Sequence, residues 1–135
     1  MHHVEIWVPD LDLARQDWGW LLGELGWQPF QDWPAGASWR LGPVYLVLER
    51  SSALTGPAHD RCAPGLNHLA FHAGSRADVD RLVAAAPGHG WSLLFPDRHP
   101  YAGGPRHYAG YLADRQGYEV ELIAAPSPPI QGRWS

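Results

Sequence analysis

Two histidines and two glutamates recur at repeated places in this 135-residue chain. His3 opens the apolar run "HVEIWV", and His68 opens "HLAFHA" 65 residues later. Glu49 ends "VYLVLE", and Glu121 lies in "YEVELIA". Two imidazoles and two carboxylates suit a divalent first-row transition ion (Ni, Co, Zn, Mn or Fe(II)). Four such ligands on a six-coordinate ion leave two positions for water or a chelating substrate.

Strands and helices must bring these residues together. With period two, Val4, Ile6 and Val8 form one face of the first strand and His3, Glu5 and Trp7 the other. Trp7 sits badly with water, so the second face is read as the lining of a polar cavity. A helix capped by Asp10 follows, with Leu11, Ala14, Trp18, Leu21, Leu22 and Leu25 on one face and Gly26 at its end. Strand-like runs "WQPFQDW", "SWRL" and "VYLVLER" complete the first unit. After a Ser/Ala/Gly/Pro-rich linker the pattern restarts with "LNHLAFHA". A second helix begins at Ser75, with Asp78 three residues on as a capping box, and Val79, Leu82, Val83 and Ala86 have helical spacing. The strand candidates "WSLLF", "HYAGYLAD" and "YEVELIA" close the second unit. Each helix leads into a Gly-Trp pair, Gly26-Trp27 and Gly90-Trp91.

This repetition predicts an α+β fold of two tandem βαβββ modules, over residues 2–50 and 65–125, whose curved mixed sheets surround a concave site. The linker is 51–64, and 126–135 is expected to be a proline-rich tail. In this reading His3 and Glu49 hold the same places in the first module as His68 and Glu121 in the second.

Composition narrows the chemistry. One domain is the simplest reading of the length, with 45% hydrophobic and 18% charged residues. A net charge of −4 argues against nucleic acid as a partner. No apolar run reaches the roughly 18 residues of a membrane span, and no leader precedes the first strand, so a cytoplasmic protein is expected. Cys62 stands alone, excluding an intrachain disulfide or a CxxC motif, and the ten basic residues are all arginine, which excludes Schiff-base lysine chemistry. Eight tryptophans suit an aromatic core or the walls of a pocket for a flat ligand.

"HHVEIWVPDLDLA" with "LGW", "GLNHLAFH" and "HYAGYLADRQGYEVELIA" together resemble the vicinal oxygen chelate superfamily. That group includes glyoxalase I, extradiol dioxygenases, methylmalonyl-CoA epimerase, and fosfomycin- and bleomycin-resistance proteins. The resemblance spans residues 2 to about 125 and implies paired βαβββ modules. It places metal ligands on His3, His68 and Glu121, with Glu49 as the fourth in glyoxalase I-like members. It implies metal-assisted proton transfer or isomerisation on a substrate with vicinal oxygens, with Glu49 or Glu121 as base. A glyoxalase-like lyase or isomerase is therefore expected.

Two alternatives use the same face. One is a metal-independent, bleomycin-resistance-like protein that sequesters a flat cationic drug. The other is an Fe(II) extradiol-type dioxygenase using His3, His68 and Glu121. Glu5 and Glu119 depart from the common pattern and are read as water-exposed rim residues or as contacts for a cationic group. They argue against an anionic substrate, and no arginine pair stands where it would obviously clamp one. Trp7, His72 and His107 are further candidates to line the pocket or to contact the ligating side chains. The Gly- and Pro-rich loop Phe95 to Tyr108 reads as a lid or as a plain surface connection. A homodimer is expected, with modules paired within a chain or exchanged across the dimer.

Overall fold

The computed structural model describes residues 1–126; most of the expected proline-rich tail lies outside the described residues. The first module runs β1 (His3–Trp7), α1 (Leu11–Glu24), β2 (Gln28–Trp33), β3 (Gly36–Leu41) and β4 (Val44–Glu49). The second runs β5 (His68–His72), α2 (Arg76–Ala85), a short 3-10 turn (Ala86–His89), β6 (Ser92–Leu93), β7 (Ala109–Ala113) and β8 (Glu119–Ile123). The sheets have matching orders, β1-β4-β3-β2 and β5-β8-β7-β6, each with one parallel pair beside antiparallel ones. These are two βαβββ modules of an α+β fold.

The helix starts follow from local chemistry. The Asp10 carboxylate accepts from Leu13 N, and Ser75 and Asp78 form the reciprocal capping box read in the sequence. The largest departure is β6. "WSLLF" keeps only two residues as strand: Leu94 N still donates to Tyr111 O, and Phe95 then takes a positive φ of 54° that turns the chain out of the ladder. The chain then leaves the sheet for the long 94–108 connection.

Both helices bury their apolar faces in one shared core. Trp18 and Trp91 meet edge to face there, each 1% exposed, with ring centroids 5.2 Å apart. Trp39 is buried too, whereas Trp7 is 39% exposed, so the tryptophans serve core and surface both.

Polar contacts tie the modules together. Trp91 Nε1 donates to Asp17 O, and Arg115 grips the Asp17 carboxylate through Nε and Nη2 at 3.0 and 2.7 Å. A side chain on Gly90 would begin 2.4 Å from that carboxylate, so only glycine fits where the Gly-Trp pair passes α1. Trp18 Nε1 donates to Asp114 Oδ2, and Asp114 Oδ1 accepts from Gln116 N and Tyr118 N. One carboxylate thus shapes the β7–β8 turn and anchors it to α1.

Burial, the leading cause, raises the Asp114 pKa above its ordinary value of 3.8. The native state then holds this proton to higher pH than the unfolded chain. The group's contribution to stability is fully present below the ordinary value and is lost as pH rises toward the folded one. Relative to Asp114→Asn, the wild type is therefore expected to lose unfolding free energy as pH rises above the ordinary carboxylate value. Urea unfolding of both proteins over that rise checks this; a pH-independent difference would contradict it.

Candidate functional site

The face of the second sheet away from α2 carries His68, Ala70 and His72 on β5, Glu119, Glu121 and Ile123 on β8, and Tyr111 on β7. The register sets Glu121 between Ala70 and Tyr111 at the middle of this face. Glu121 is 6% exposed. Its Oε1 lies 3.0 Å from His68 Nε2, and its Oε2 bonds to His107 Nε2. His68 Nδ1 contacts Asn67 Oδ1 at 2.7 Å, which fixes the ring's rotation. Burial first, then the Glu121 charge, raise the Tyr111 pKa above the usual tyrosine value.

His107 comes from the 94–108 connection, which packs over this face. A side chain on Gly103 would begin 2.5 Å from Tyr111 Oη and 2.7 Å from His107 Cδ2. The glycine lets the backbone close onto the site. Phe95 lies edge-on to Tyr111, with centroids 5.8 Å apart. The connection covers this face and brings His107 to the Glu121 carboxylate.

Glu119 is not a rim residue. It is 3% exposed, and Arg61 Nη1 lies 2.8 Å from its Oε1. Arg61 sits in the linker, where nothing in the sequence marked it as a partner. Glu5 is exposed as expected, and its Oε2 accepts from Trp7 Nε1 at 2.7 Å. Glu5 and Trp7 line a cleft of about 350 Å³ bounded by the linker, His59 and Tyr118. His59 stacks on Tyr118 at 4.6 Å and contacts Leu66 O at 2.8 Å, a structural role the sequence did not signal.

The first sheet holds the other two expected ligands. His3 stacks on Tyr45, with centroids 4.7 Å apart, and its Nδ1 is 2.8 Å from His2 Nδ1. His3 pairs with Tyr45 as His68 pairs with Glu119. Glu5 pairs with Val47 as Ala70 pairs with Glu121, so the counterpart of Glu121 in the first module is Val47. Glu49 stands opposite Trp7, two residues further along. It lies about 13 Å along the strand direction from the level of His3. The expectation that Glu49 occupies the same place as Glu121 is therefore corrected. Within the chain the structure brings together His68, His107, Glu119 and Glu121; His3, Glu5, Trp7 and Glu49 lie on the other sheet.

A model of the Glyoxalase/Bleomycin resistance protein/Dioxygenase superfamily matches residues 2–111. The chain belongs to this superfamily. It is 44% identical over 125 residues to the protein YqjT of Bacillus subtilis (strain 168), covering 92% of this chain and 98% of that one. A glyoxalase-like protein from Bacillus halodurans has a similar structure, with TM-score 0.88, 44% identity, and coverage of 93% of this chain and 95% of that one. The fold extends to a lactoylglutathione lyase from Agrobacterium tumefaciens, with TM-score 0.63, 20% identity, and coverage of 93% and 92%. Among the described residues no helix is long and apolar enough to cross a membrane.

In this superfamily member the donor chemistry fits a first-row divalent ion only in part. Neighbouring ligands about 2.1 Å from one ion stand about 3 Å apart, the spacing of His68 Nε2 and Glu121 Oε1. Among the described residues, however, no three or more His, Cys, Asp or Glu side chains form a ready-made cage.

Proposed function

We propose that the protein is a divalent-metal-dependent small-molecule enzyme of the glyoxalase-like type, acting by proton transfer or isomerisation on a substrate with vicinal oxygens. The observation that carries this reading is the buried Glu121 carboxylate in the middle of the second sheet's face away from α2, 3.0 Å from His68 Nε2. His68 and Glu121 would hold the ion, which when bound supplies Lewis acidity toward the substrate oxygens. His3 of the partner subunit would complete the ligand set in a homodimer whose modules exchange, closing one chain's first sheet on the other's second.

The chain's own residues do the remaining work. Glu49 lies too far along its strand to serve as base beside His68. His107 takes that role, with its Nε2 held on the second oxygen of Glu121. The 94–108 connection shields the face from water, and Tyr111, with its raised pKa, stays a neutral hydroxyl able to donate to a substrate oxygen.

Val47 in the fourth place favours one second reading. His3, His68 and Glu121 alone make the two-histidine, one-carboxylate set of Fe(II) dioxygenases, which oxygen uptake with a catechol would reveal.

The test is elemental analysis of tag-free protein together with its solution mass. About one Ni, Co, Zn, Mn or Fe per chain, lost in His68→Ala, and a mass of two chains are expected. A protein that binds none of these ions after incubation would overturn metal dependence and leave a metal-independent binding protein, to be tested with flat cationic ligands.

A further inference from the structure

We infer that the substrate carries an oxyanion, a carboxylate or a phosphate, clamped by Arg76 and Arg106 beside the Glu121 centre. The inference rests on the reading of His68 and Glu121 as the reacting end of the site.

A pocket of about 280 Å³ opens where β5 and β8 end, lined by His72, Arg76, Arg106, His107 and Tyr108 over the Ile123–Pro126 backbone. No acidic residue lines it. Four other arginines are neutralised: Arg15 by Asp32, Arg61 by Glu119, Arg81 by Glu24 and Arg115 by Asp17. Among the described residues Arg76 and Arg106 form no ion pair. Two guanidinium forks on one acid-free pocket, in a chain of net charge −4, form a local site for a planar or tetrahedral oxyanion. No arginine pair is obvious as a clamp in the sequence, because Arg76 and Arg106 are 30 residues apart and reach one pocket only where the 94–108 connection folds back across the start of α2.

The pocket is prepared and continuous with the site. The Arg76 guanidinium lies 4.8 Å over the Tyr108 ring, and the Tyr108 hydroxyl donates to Asp80, which fixes the ring beneath it. His107 lines the pocket and also bonds to Glu121. Ile123, on the pocket floor, follows Glu121 by two residues on the same strand face, about 7 Å away. An anion at the arginines therefore leaves the other end of a small substrate over Glu121. The acids expected to repel an anion do not oppose it: Glu119 is neutralised by Arg61, and Glu5 is on the other sheet.

The test is calorimetric titration of the tag-free protein, at one pH, with inorganic phosphate and separately with succinate. The wild type is expected to bind at least one, and the tighter probe names the class. Arg76→Gln and Arg106→Gln should each weaken that binding by about tenfold with unchanged melting temperature. Glu121→Gln should retain it. No binding of either probe, or equal binding in both arginine variants, would overturn the clamp. Binding lost in Glu121→Gln but kept in the arginine variants would also overturn it, placing the anion on the ion centre. A clamp intact in protein that takes up no metal would sink the metal-dependent reading alone.

Discussion

Trp18→Ala is expected to lower unfolding free energy by about 4 kcal/mol, because it empties the volume where the two modules meet. Trp18 is 1% exposed, packs edge to face on Trp91, and donates its indole N–H to Asp114. The substitution removes the aromatic pair and leaves Asp114 Oδ2 buried without its donor, which adds to the cavity cost. Against a typical total of roughly 5–15 kcal/mol, such a loss leaves a marginal protein. Trp18→Phe separates the two causes: it keeps most of the volume, loses only the N–H, and should cost about 1–3 kcal/mol. Urea unfolding measures both. A cost below about 1.5 kcal/mol for the alanine variant would mean that the modules stay together without this contact.

Glu121→Gln is expected to weaken Zn or Ni binding by at least about a hundredfold, since it removes the charge of the one buried carboxylate that touches both imidazoles. The amide keeps the shape of the side chain and one acceptor, so the fold should survive with near-wild-type thermal unfolding. His107→Asn should weaken binding by about tenfold, because it loses only the hydrogen bond that holds the second carboxylate oxygen. Calorimetric titration with each metal gives both values. Equal affinity in wild type and Glu121→Gln would remove Glu121 from the ligand set, and a larger loss from His107→Asn than from Glu121→Gln would make His107 the principal ligand.

The arginine clamp changes how the acidic residues of the concave face are understood. As isolated letters, Glu119 and Glu121 look like a negative surface suited to a cation. In the fold, Arg61 neutralises one and two imidazoles bracket the other, while unpaired positive charge collects one strand end away. Charge sign along the sequence says little about the field at a site when neutralising partners come from linkers and loops.

The module plan was written in local sequence signals. Alternating apolar residues in "HVEIWV" and "HLAFH", helical spacing after Asp10 and Ser75, and the repeated Gly-Trp pair are local signals. Each depends on residues a few positions apart, and together they specified βαβββ twice. His68 and Glu121 were legible too, since a histidine and a glutamate on inward faces of neighbouring strands meet whenever the strands pair centrally.

The place of Glu49 was decided only in the tertiary structure. A slip of two residues along a strand keeps every side chain on the same face, so the apolar alternation of β4 is satisfied in either register. The hydrogen-bond ladder has the register that puts Val47 rather than Glu49 at the level of Glu121. Arg61, His107, Arg76 and Arg106 likewise gained their partners through a linker and a connection without regular periodicity. Nothing local encodes where such segments land, because their course is settled by the surfaces they pack against.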